Sequence, residues 1–200
     1  MKKNLIILFI LLLCSSNMAT AQTNRTETRR QKELAWRQER MQKREKDKAL
    51  EEEQDSVAYQ EAVQALKDGE WVLEASDVIF FNGILRFVTA STNFVSMHNG
   101  TATVQTAFDN FNYSGPNGLG GITLRGNAWG SSLSTDKDGN YYSSFSVQGI
   151  GMSAMVYLVL TGGTCQASAS INPNFTGRRL TMNGFLYPYS KADIFEGMSW

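Results

Sequence analysis

The sequence predicts a mainly β domain, an antiparallel meander of about nine or ten strands that forms a barrel or a sandwich, preceded by a long charged α-helix. Three observations predict this arrangement. All 17 glycines and all three prolines lie at or after Gly69. From Trp71 onward apolar and polar side chains alternate, as in strands with one buried face. The turns between these strands have hairpin length, and no segment of helical periodicity separates them, which disfavours a parallel sheet.

Residues 1–21 have the anatomy of a secretory signal peptide. Two lysines precede the apolar run 5–13, and an A-x-A site predicts cleavage between Ala21 and Gln22. Because the run is too short for a permanent span, we expect export to the periplasm of a Gram-negative bacterium and no transmembrane segment in the mature chain. The alternative is a lipid anchor on Cys14 at the outer membrane, although Leu13 is larger than the residue that usually precedes such a cysteine.

Residues 22–68 form a charged helical lead with 11 basic and 11 acidic side chains. Pairs such as Glu33 and Arg37 are spaced i,i+4, which stabilises a helix. A heptad seam begins at Leu34 and Met41 but continues with charged residues, so we interpret the lead as a solvated spacer helix rather than a coiled coil. The balanced charge provides no net positive field, so nucleic acid is not an expected partner.

The last turns of the lead are different, because apolar residues recur there at helical spacing. This stripe predicts packing of the helix on the domain that follows, and Gly69 is expected to end the helix. The stripe consists of Tyr59, Ala62, Val63 and Leu66.

Ser56 lies in the triplet Asp55-Ser56-Val57, which matches a loose pattern for O-glycosylation of some exported bacterial proteins. We retain Ser56 as a possible modification site. The alternative is an ordinary serine on the surface of the helix.

Residues 69–200 form the predicted β-rich domain, and Asn82-Gly83 marks its first hairpin. Asn-Gly favours a two-residue type I′ turn. Such a turn places Phe80 opposite Leu85 and Val78 opposite Phe87, which would make one face of the hairpin apolar.

A second Asn-Gly pair, Asn99-Gly100, predicts the next hairpin. Its register places Met97 opposite Ala102 and Val95 opposite Val104 on a buried face. The other face is polar and is expected to be wet. It consists of Ser96, His98, Thr101 and Thr103.

The run 154–160 is apolar throughout, which predicts a strand covered on both faces. Several other predicted strands place small residues on their apolar face, and this face could leave a cavity inside a barrel. The small residues are Ala102, Ala128, Cys165, Ala167 and Ala169.

No pattern predicts a catalytic, metal-binding or cofactor-binding site. His98 is the only histidine and lies beside a turn, so we interpret it as a solvated turn residue. Cys165 is the only cysteine after the predicted signal peptide, which excludes an intramolecular disulfide in the mature chain. It shares a face with alanines and is interpreted as a small hydrophobic residue.

Segment 109–121 is the best candidate for a ligand site, because it is the longest connection between predicted strands. Its aromatic residues Phe111 and Tyr113 lie close to Asn117 and a glycine-rich run. We therefore predict that Phe111, Tyr113 and Asn117 bind a ligand. The alternative is a tight turn whose glycines let two strands pass closely.

Three runs resemble a family of exported Bacteroidetes proteins catalogued as a domain of unknown function (DUF4251). They are Gly115-Pro-Asn-Gly-Leu-Gly-Gly-Ile-Thr123, Val147-Gln-Gly-Ile-Gly151 and Asn172-Pro-Asn-Phe175. The resemblance covers about residues 60–200. It implies an exported β-rich domain and carries over no activity or functional residue.

Taken together, these patterns favour an exported, non-enzymatic binding or envelope-associated module without a cofactor. Its partner would be an apolar small ligand or an envelope protein. The alternative is a periplasmic hydrolase or another envelope enzyme that uses segment 109–121. The scarcity of histidine, cysteine and clustered acids disfavours this alternative.

Overall fold

The computed structural model describes residues 2–108, 116–174 and 177–199, with side chains from Arg29 onward. The chain consists of two compact units, Met1–Glu52 and Glu53–Trp200. The first unit is part of helix α1 (Lys2–Asp68). Its described side chains are exposed and include the predicted i,i+4 ion pair, in which Arg37 lies 2.8 Å from Glu33.

The second unit contains the end of α1, nine strands and two short 3₁₀ helices (Ala90–Thr92 and Tyr189–Lys191) within the described ranges. All strand pairings are antiparallel. The strands are β1 (Trp71–Ile79), β2 (Leu85–Phe87), β3 (Phe94–His98), β4 (Thr101–Thr106), β5 (Ile122–Thr135), β6 (Tyr141–Gln148), β7 (Ser153–Leu160), β8 (Gln166–Pro173) and β9 (Leu180–Pro188).

The pairing of β1 with β9 makes the fold a barrel rather than a sandwich. β1 pairs with β9 along its whole length and with β3 along its first half, which closes a ring of eight strands. β2 pairs with the second half of β1, where β3 has left it, and is an additional strand outside the ring. A closed ring has no free edge, so the barrel wall is a rigid support for surface side chains.

Apolar side chains fill the barrel interior. Trp71, Phe145, Leu158 and Met182 are each at most 2% exposed, and the rings of Trp71 and Phe145 meet edge to face at 5.9 Å. Ala169 lies between Leu158 and Met182 on the neighbouring strands. Ala169, one of the small residues predicted to leave a cavity, therefore accommodates large neighbours.

The end of helix α1 packs against one end of this core, as the apolar stripe predicted. Ala62, Ala65 and Leu66 are buried in the same cluster as the barrel interior, and Tyr59 and Val63 pack against it. The Tyr59 hydroxyl also donates a hydrogen bond to the Gly139 carbonyl in a distant turn. These contacts place residues 53–68 structurally with the barrel.

One Asn-Gly hairpin has the predicted register and the other does not. At Asn99-Gly100 both residues have positive φ, and Met97 pairs with Ala102 as a type I′ turn requires. At the first hairpin only Gly83 has positive φ among the loop residues, and Ile79 pairs with Leu85. The loop there has three residues, 81–83, rather than two. The Gly83 amide donates to the Phe80 carbonyl and closes a tight turn over residues 80–83.

This shift of one residue makes the predicted Phe80–Leu85 and Val78–Phe87 pairs wrong. Leu85 is 48% exposed and Phe87 is 84% exposed, because β2 lies outside the closed ring. A one-residue slip moves side chains to the other face of a strand, and here it removes the expected apolar face.

The burial of two outer faces also differs from expectation. Ser96 and Thr103 are buried although their face was predicted to be wet. Met155 and Tyr157 are exposed although run 154–160 was predicted to be covered on both sides. Segment 192–199 lies over the first face, since Gln105 on the same face as Thr103 donates to the Phe195 carbonyl at 2.8 Å. Strand periodicity does not predict a contact with a segment so distant in sequence.

Candidate functional site

Asn117 lies at the centre of a buried hydrogen-bond network. Its side chain is 2% exposed and donates to the Thr106 carbonyl (2.9 Å) and the Thr123 hydroxyl (3.3 Å). Its amide oxygen accepts from the backbone amides of Leu119 (2.9 Å) and Gly121 (3.0 Å). Because each amide atom already has two partners in the chain, this geometry assigns Asn117 a structural role in holding loop 116–121.

Gln105 extends this network to the C-terminal segment. The side chain is fully buried, accepts from the Thr123 hydroxyl and the Gly197 amide, and donates to the Phe195 and Thr92 carbonyls. The network thus fastens segment 192–199 over the outer face of β3 to β5.

Phe111 and Tyr113, the aromatic residues of the predicted ligand site, lie outside the described residues. Their ligand-binding role stays a prediction, as does cleavage between Ala21 and Gln22. Ser56 is exposed on helix α1, where its hydroxyl is accessible to modification. O-glycosylation at Ser56 likewise stays a prediction.

His98 lies in a cluster of side chains rather than alone in solvent. Its Nδ1 is hydrogen-bonded to a Glu70 carboxylate oxygen, and the Asn99 side-chain amide donates to its Nε2 at 2.8 Å. The imidazole also stacks on Tyr189, with ring centroids 4.0 Å apart. Glu70 therefore places a carboxylate beside His98. It precedes β1 and reaches the Asn99 turn through the tertiary fold, so strand periodicity does not predict this contact.

Glu70 joins the helix end to this turn and is expected to make stability depend on pH. The Asn99 backbone amide and then His98 lower the pKa of the Glu70 carboxyl, because both favour its charged form. A lowered folded-state pKa gives stability that is present above the unfolded-state pKa and is lost as pH falls through the folded-state value.

Glu70→Gln should therefore lower the melting temperature at neutral pH. The difference in melting temperature should shrink as pH falls below about 4, where Glu70 becomes protonated and is neutral like the glutamine of the variant. Thermal melts across this pH range measure it. A difference that stays constant from neutral to acid pH would contradict the assigned role.

Cys165 is partly buried against the barrel core, and burial raises the pKa of its thiol. A raised pKa lowers the thiolate fraction and makes the sulfur a poor nucleophile. This agrees with its interpretation as a small hydrophobic residue. Nowhere in the described ranges do three or more His, Cys, Asp or Glu side chains cluster as a metal site requires.

The outer surface of β5 and β6 carries an open cleft of about 610 Å³. We call it the Trp129 cleft. Asn127 and Gln148 lie directly opposite each other in it, and Arg125 at its rim is paired with Glu196 at 3.1 Å. Other lining residues include Gly126, Trp129, Ile150 and Ser199.

Close backbone packing shapes the floor of this cleft. A Cβ added to Gly126 would lie 1.9 Å from the Gln148 carbonyl oxygen, a distance that the backbone cannot tolerate. The two strands meet closely only because residue 126 has no side chain. Larger residues at this position would push β5 and β6 apart and alter the cleft.

Trp129 lies at a β-bulge on the edge of the cleft. The β5–β6 register shifts by one residue between Trp129 and Ser132, and Gly130 has φ 65°. Bulges change the direction of a neighbouring side chain and often occur near functional sites. Trp129 is 59% exposed, so its indole is presented to solvent on a rigid strand.

The surface beside Trp129 is uncharged over four cross-strand rows on β5 to β8. We call these fifteen positions the uncharged face, and seven of them are serines. Residues 69–200 carry 14 charged side chains in 132 positions, so fifteen positions would on average carry about 1.6 charges. The rows are Asn127–Gln148–Ser153, Trp129–Ser146–Met155–Asn172, Ser132–Ser144–Tyr157–Ser170 and Ser134–Tyr142–Val159–Ser168.

Hydrogen bonds hold the two tyrosines of this face along the sheet. The Tyr157 hydroxyl donates to the Met155 sulfur at 2.7 Å, two residues earlier on the same face. The Tyr142 hydroxyl donates to Asp136 at 3.0 Å, and this bond raises the pKa of the Tyr142 phenol. Although both hydroxyls are hydrogen-bonded within the protein, Tyr157 is 47% exposed and Tyr142 is 43% exposed.

Of the predicted ligand residues, the described part of the chain includes Asn117, and Asn117 is not part of this surface. Asn117 is buried under the C-terminal segment, whereas Trp129, Tyr157 and Gln148 form the exposed surface. The alternation around Trp129 contained a usable signal, since the indole falls at an outward position of β5. The sequence does not predict that Trp129 and Tyr157 lie on one surface, because this depends on the registers of β5 with β6 and of β6 with β7.

Comparisons with known proteins agree with the barrel. A family model described as Domain of unknown function (DUF4251) matches residues 53–186. The chain is similar to the crystal structure of a DUF4251 family protein from Bacteroides eggerthii DSM 20697, with 49% identity and a TM-score of 0.63 over 74% of this chain and 99% of that one. A comparison with curated proteins gives no match. Within the described ranges, no helix combines the length and apolar character needed to cross a membrane.

Proposed function

The chain belongs to the DUF4251 family, and from that premise we propose that it is an exported, non-enzymatic binding module that holds its partner at the Trp129 cleft and the uncharged face. Trp129 is the observation that carries this proposal. Its indole is 59% exposed at a bulge on a closed barrel, next to a cleft of about 610 Å³. Aromatic side chains on rigid elements are typical anchors of binding surfaces.

The barrel interior is a weaker candidate for the apolar small ligand considered from the sequence. Trp71 and Phe145 meet inside the barrel, and the helix end packs over the same cluster. A ligand there would have to displace well-packed side chains. An outer-surface site requires no such rearrangement, and it suits an envelope partner as well as a small ligand.

The geometry also favours binding over the alternative of a hydrolase that uses segment 109–121. Both ring nitrogens of His98 are occupied by Glu70 and Asn99, so neither is free to accept a proton from a nucleophile. The raised pKa of Cys165 disfavours a thiolate nucleophile.

Export is part of the proposal and is supported by the signal-peptide pattern of residues 1–21. We place the mature chain in the periplasm, beginning at Gln22. The alternative is anchoring at the outer membrane through a lipid on Cys14, which would leave an N-terminus upstream of Gln22.

A photo-cross-linking experiment in the native host tests this function. A benzophenone amino acid replaces Trp129 in one strain and Phe87, an 84% exposed residue of β2 outside the ring, in a control strain. Because benzophenone inserts into C–H bonds of any partner, the Trp129 strain should yield a defined adduct and the Phe87 strain should not. Mass spectrometry of the same envelope fraction should find a mature chain that begins at Gln22.

A strain without an adduct at position 129, in cells where deletion of the protein has a phenotype, would overturn the proposed site. Equal adducts at positions 129 and 87 would do the same, because they would show random contact. A chain that retains residues 1–21 would overturn export.

A further inference from the structure

We propose that the ligand of the Trp129 cleft and the uncharged face is a neutral glycan chain. This inference rests on the proposed function and names the chemical class of its ligand. Three independent features of the surface support it: the absence of charge, the exposed ring faces and the supply of groups that both donate and accept hydrogen bonds.

The charge distribution selects against ionic ligands. The fifteen positions of the uncharged face have no acidic or basic side chain, and Arg125 at the cleft rim is already paired with Glu196. The hydrogen bond from Tyr142 to Asp136 raises the pKa of the phenol and keeps it neutral. An anionic ligand would lose hydration on this surface without gaining a free counter-charge.

The aromatic rings provide surfaces on which sugar rings can stack. The face of an aromatic ring is electron-rich, and it attracts the polarised C–H groups on the apolar side of a pyranose. Trp129 is held on the bulge, and the hydroxyl of Tyr157 is bound sideways to Met155. These rings are exposed before binding, so little ordering is needed when a ligand arrives.

The polar groups between the rings match hydroxyl groups. Among the described residues, no group is hydrogen-bonded to the side-chain amide of Asn127 or of Gln148, and these two amides face each other in the cleft. An amide and a serine hydroxyl can each donate and accept, as every sugar hydroxyl does. A fatty ligand would leave these two amides without partners.

The dimensions fit a short stretch of a chain rather than one small molecule. The cleft of about 610 Å³ lies within the usual range of ligand sites. From β5 to β8 the face extends over three strand spacings, roughly 14 Å. A glycan that enters the cleft can therefore continue across the face and contact both Trp129 and Tyr157.

Affinity electrophoresis of the purified protein tests this inference. Native gels contain one neutral polymer each (dextran, mixed-linkage β-glucan or galactomannan), and a polyuronate gel is the charged comparison. We expect at least one neutral polymer to retard the protein, with little change between about 0.05 and 0.5 M salt, because no ion pair contributes. The polyuronate should cause no retardation.

Variants assign the binding to this surface. Trp129→Ala should weaken retention about tenfold or more, and Tyr157→Ala several-fold, because each removes one ring face. Phe87→Ala, on β2 outside the ring, should bind as the unmodified protein does. The melting temperature of each variant confirms that it is folded.

The inference is wrong if no neutral polymer retards the protein, if only the polyuronate does, or if Trp129→Ala binds unchanged. It is also wrong if the cross-linked adduct at position 129 is a protein or a second copy of this chain. In that case the proposed binding function stands, and only the glycan assignment fails. Absence of any adduct at position 129 overturns both.

Discussion

Replacing Trp71 with alanine is expected to lower the free energy of unfolding of the barrel by about 3–5 kcal/mol. Trp71 is 2% exposed and lies at the first position of β1, next to the core residues from the end of helix α1. Its ring contacts Phe145 edge to face at 5.9 Å. Truncation removes a large buried surface and leaves a cavity that the closed ring of strands cannot collapse to fill.

Chemical denaturation with intrinsic fluorescence or circular dichroism measures this loss. Trp129→Ala is the matched control, because it makes the same chemical change on the same barrel at a residue that is 59% exposed. We expect it to change the free energy of unfolding by less than about 1 kcal/mol. Similar losses for the two variants would show that Trp129 is a structural residue and would weaken its assignment to a binding site.

Asn117→Ala is expected to destabilise the chain by roughly 3–5 kcal/mol, because it removes four hydrogen bonds at once. The Leu119 and Gly121 amides and the Thr106 carbonyl would lose partners in a site that is almost closed to water. Asn127→Ala is the control, since that amide lies in the open Trp129 cleft. It should leave the free energy of unfolding nearly unchanged.

Denaturation of both asparagine variants distinguishes the two interpretations of loop 116–121. If Asn117→Ala melts like the unmodified chain, the network does not hold the loop and the predicted ligand role of Asn117 regains support. If Asn127→Ala is the more destabilised variant, the cleft is a structural feature of the β5–β6 pair.

The binding proposal changes where partners of this barrel should be sought. A hollow barrel would carry its ligand inside, and the length of the ligand would be limited by the cavity. This barrel is filled, and its distinctive surface is outside, on strands that each pair with two neighbours. Such a surface can bind part of a long polymer, because the rest of the polymer extends past the protein.

Much of the fold was predictable because its signals are local. The switch from a charged, glycine-free lead to alternating strands predicted the helix, the antiparallel sheet and the packing of the helix end. Asn99-Gly100 predicted its hairpin register correctly, since the type I′ turn depends only on those two residues. The same dipeptide at Asn82-Gly83 failed, because β2 was free to adopt a longer loop outside the ring.

The candidate site was much less predictable. Sequence reasoning selected Asn117 by its glycine-rich surroundings, and the fold buries it beneath segment 192–199. Tyr157 was predicted only as part of the run 154–160, and Trp129 was not selected at all. Their shared surface exists because Ser146 pairs with Trp129 while Ser144 pairs with both Ser132 and Tyr157.

By itself, the sequence determined the class of fold, the end of the helix and the interior positions of most strands. These properties depend on residues two to four positions apart, where side-chain direction follows from backbone geometry. Only the tertiary structure decided that β1 closes the ring with β9, which outer face is covered and which is open. Those outcomes depend on contacts between residues as distant as Gln105 and Phe195, and no local periodicity specifies them.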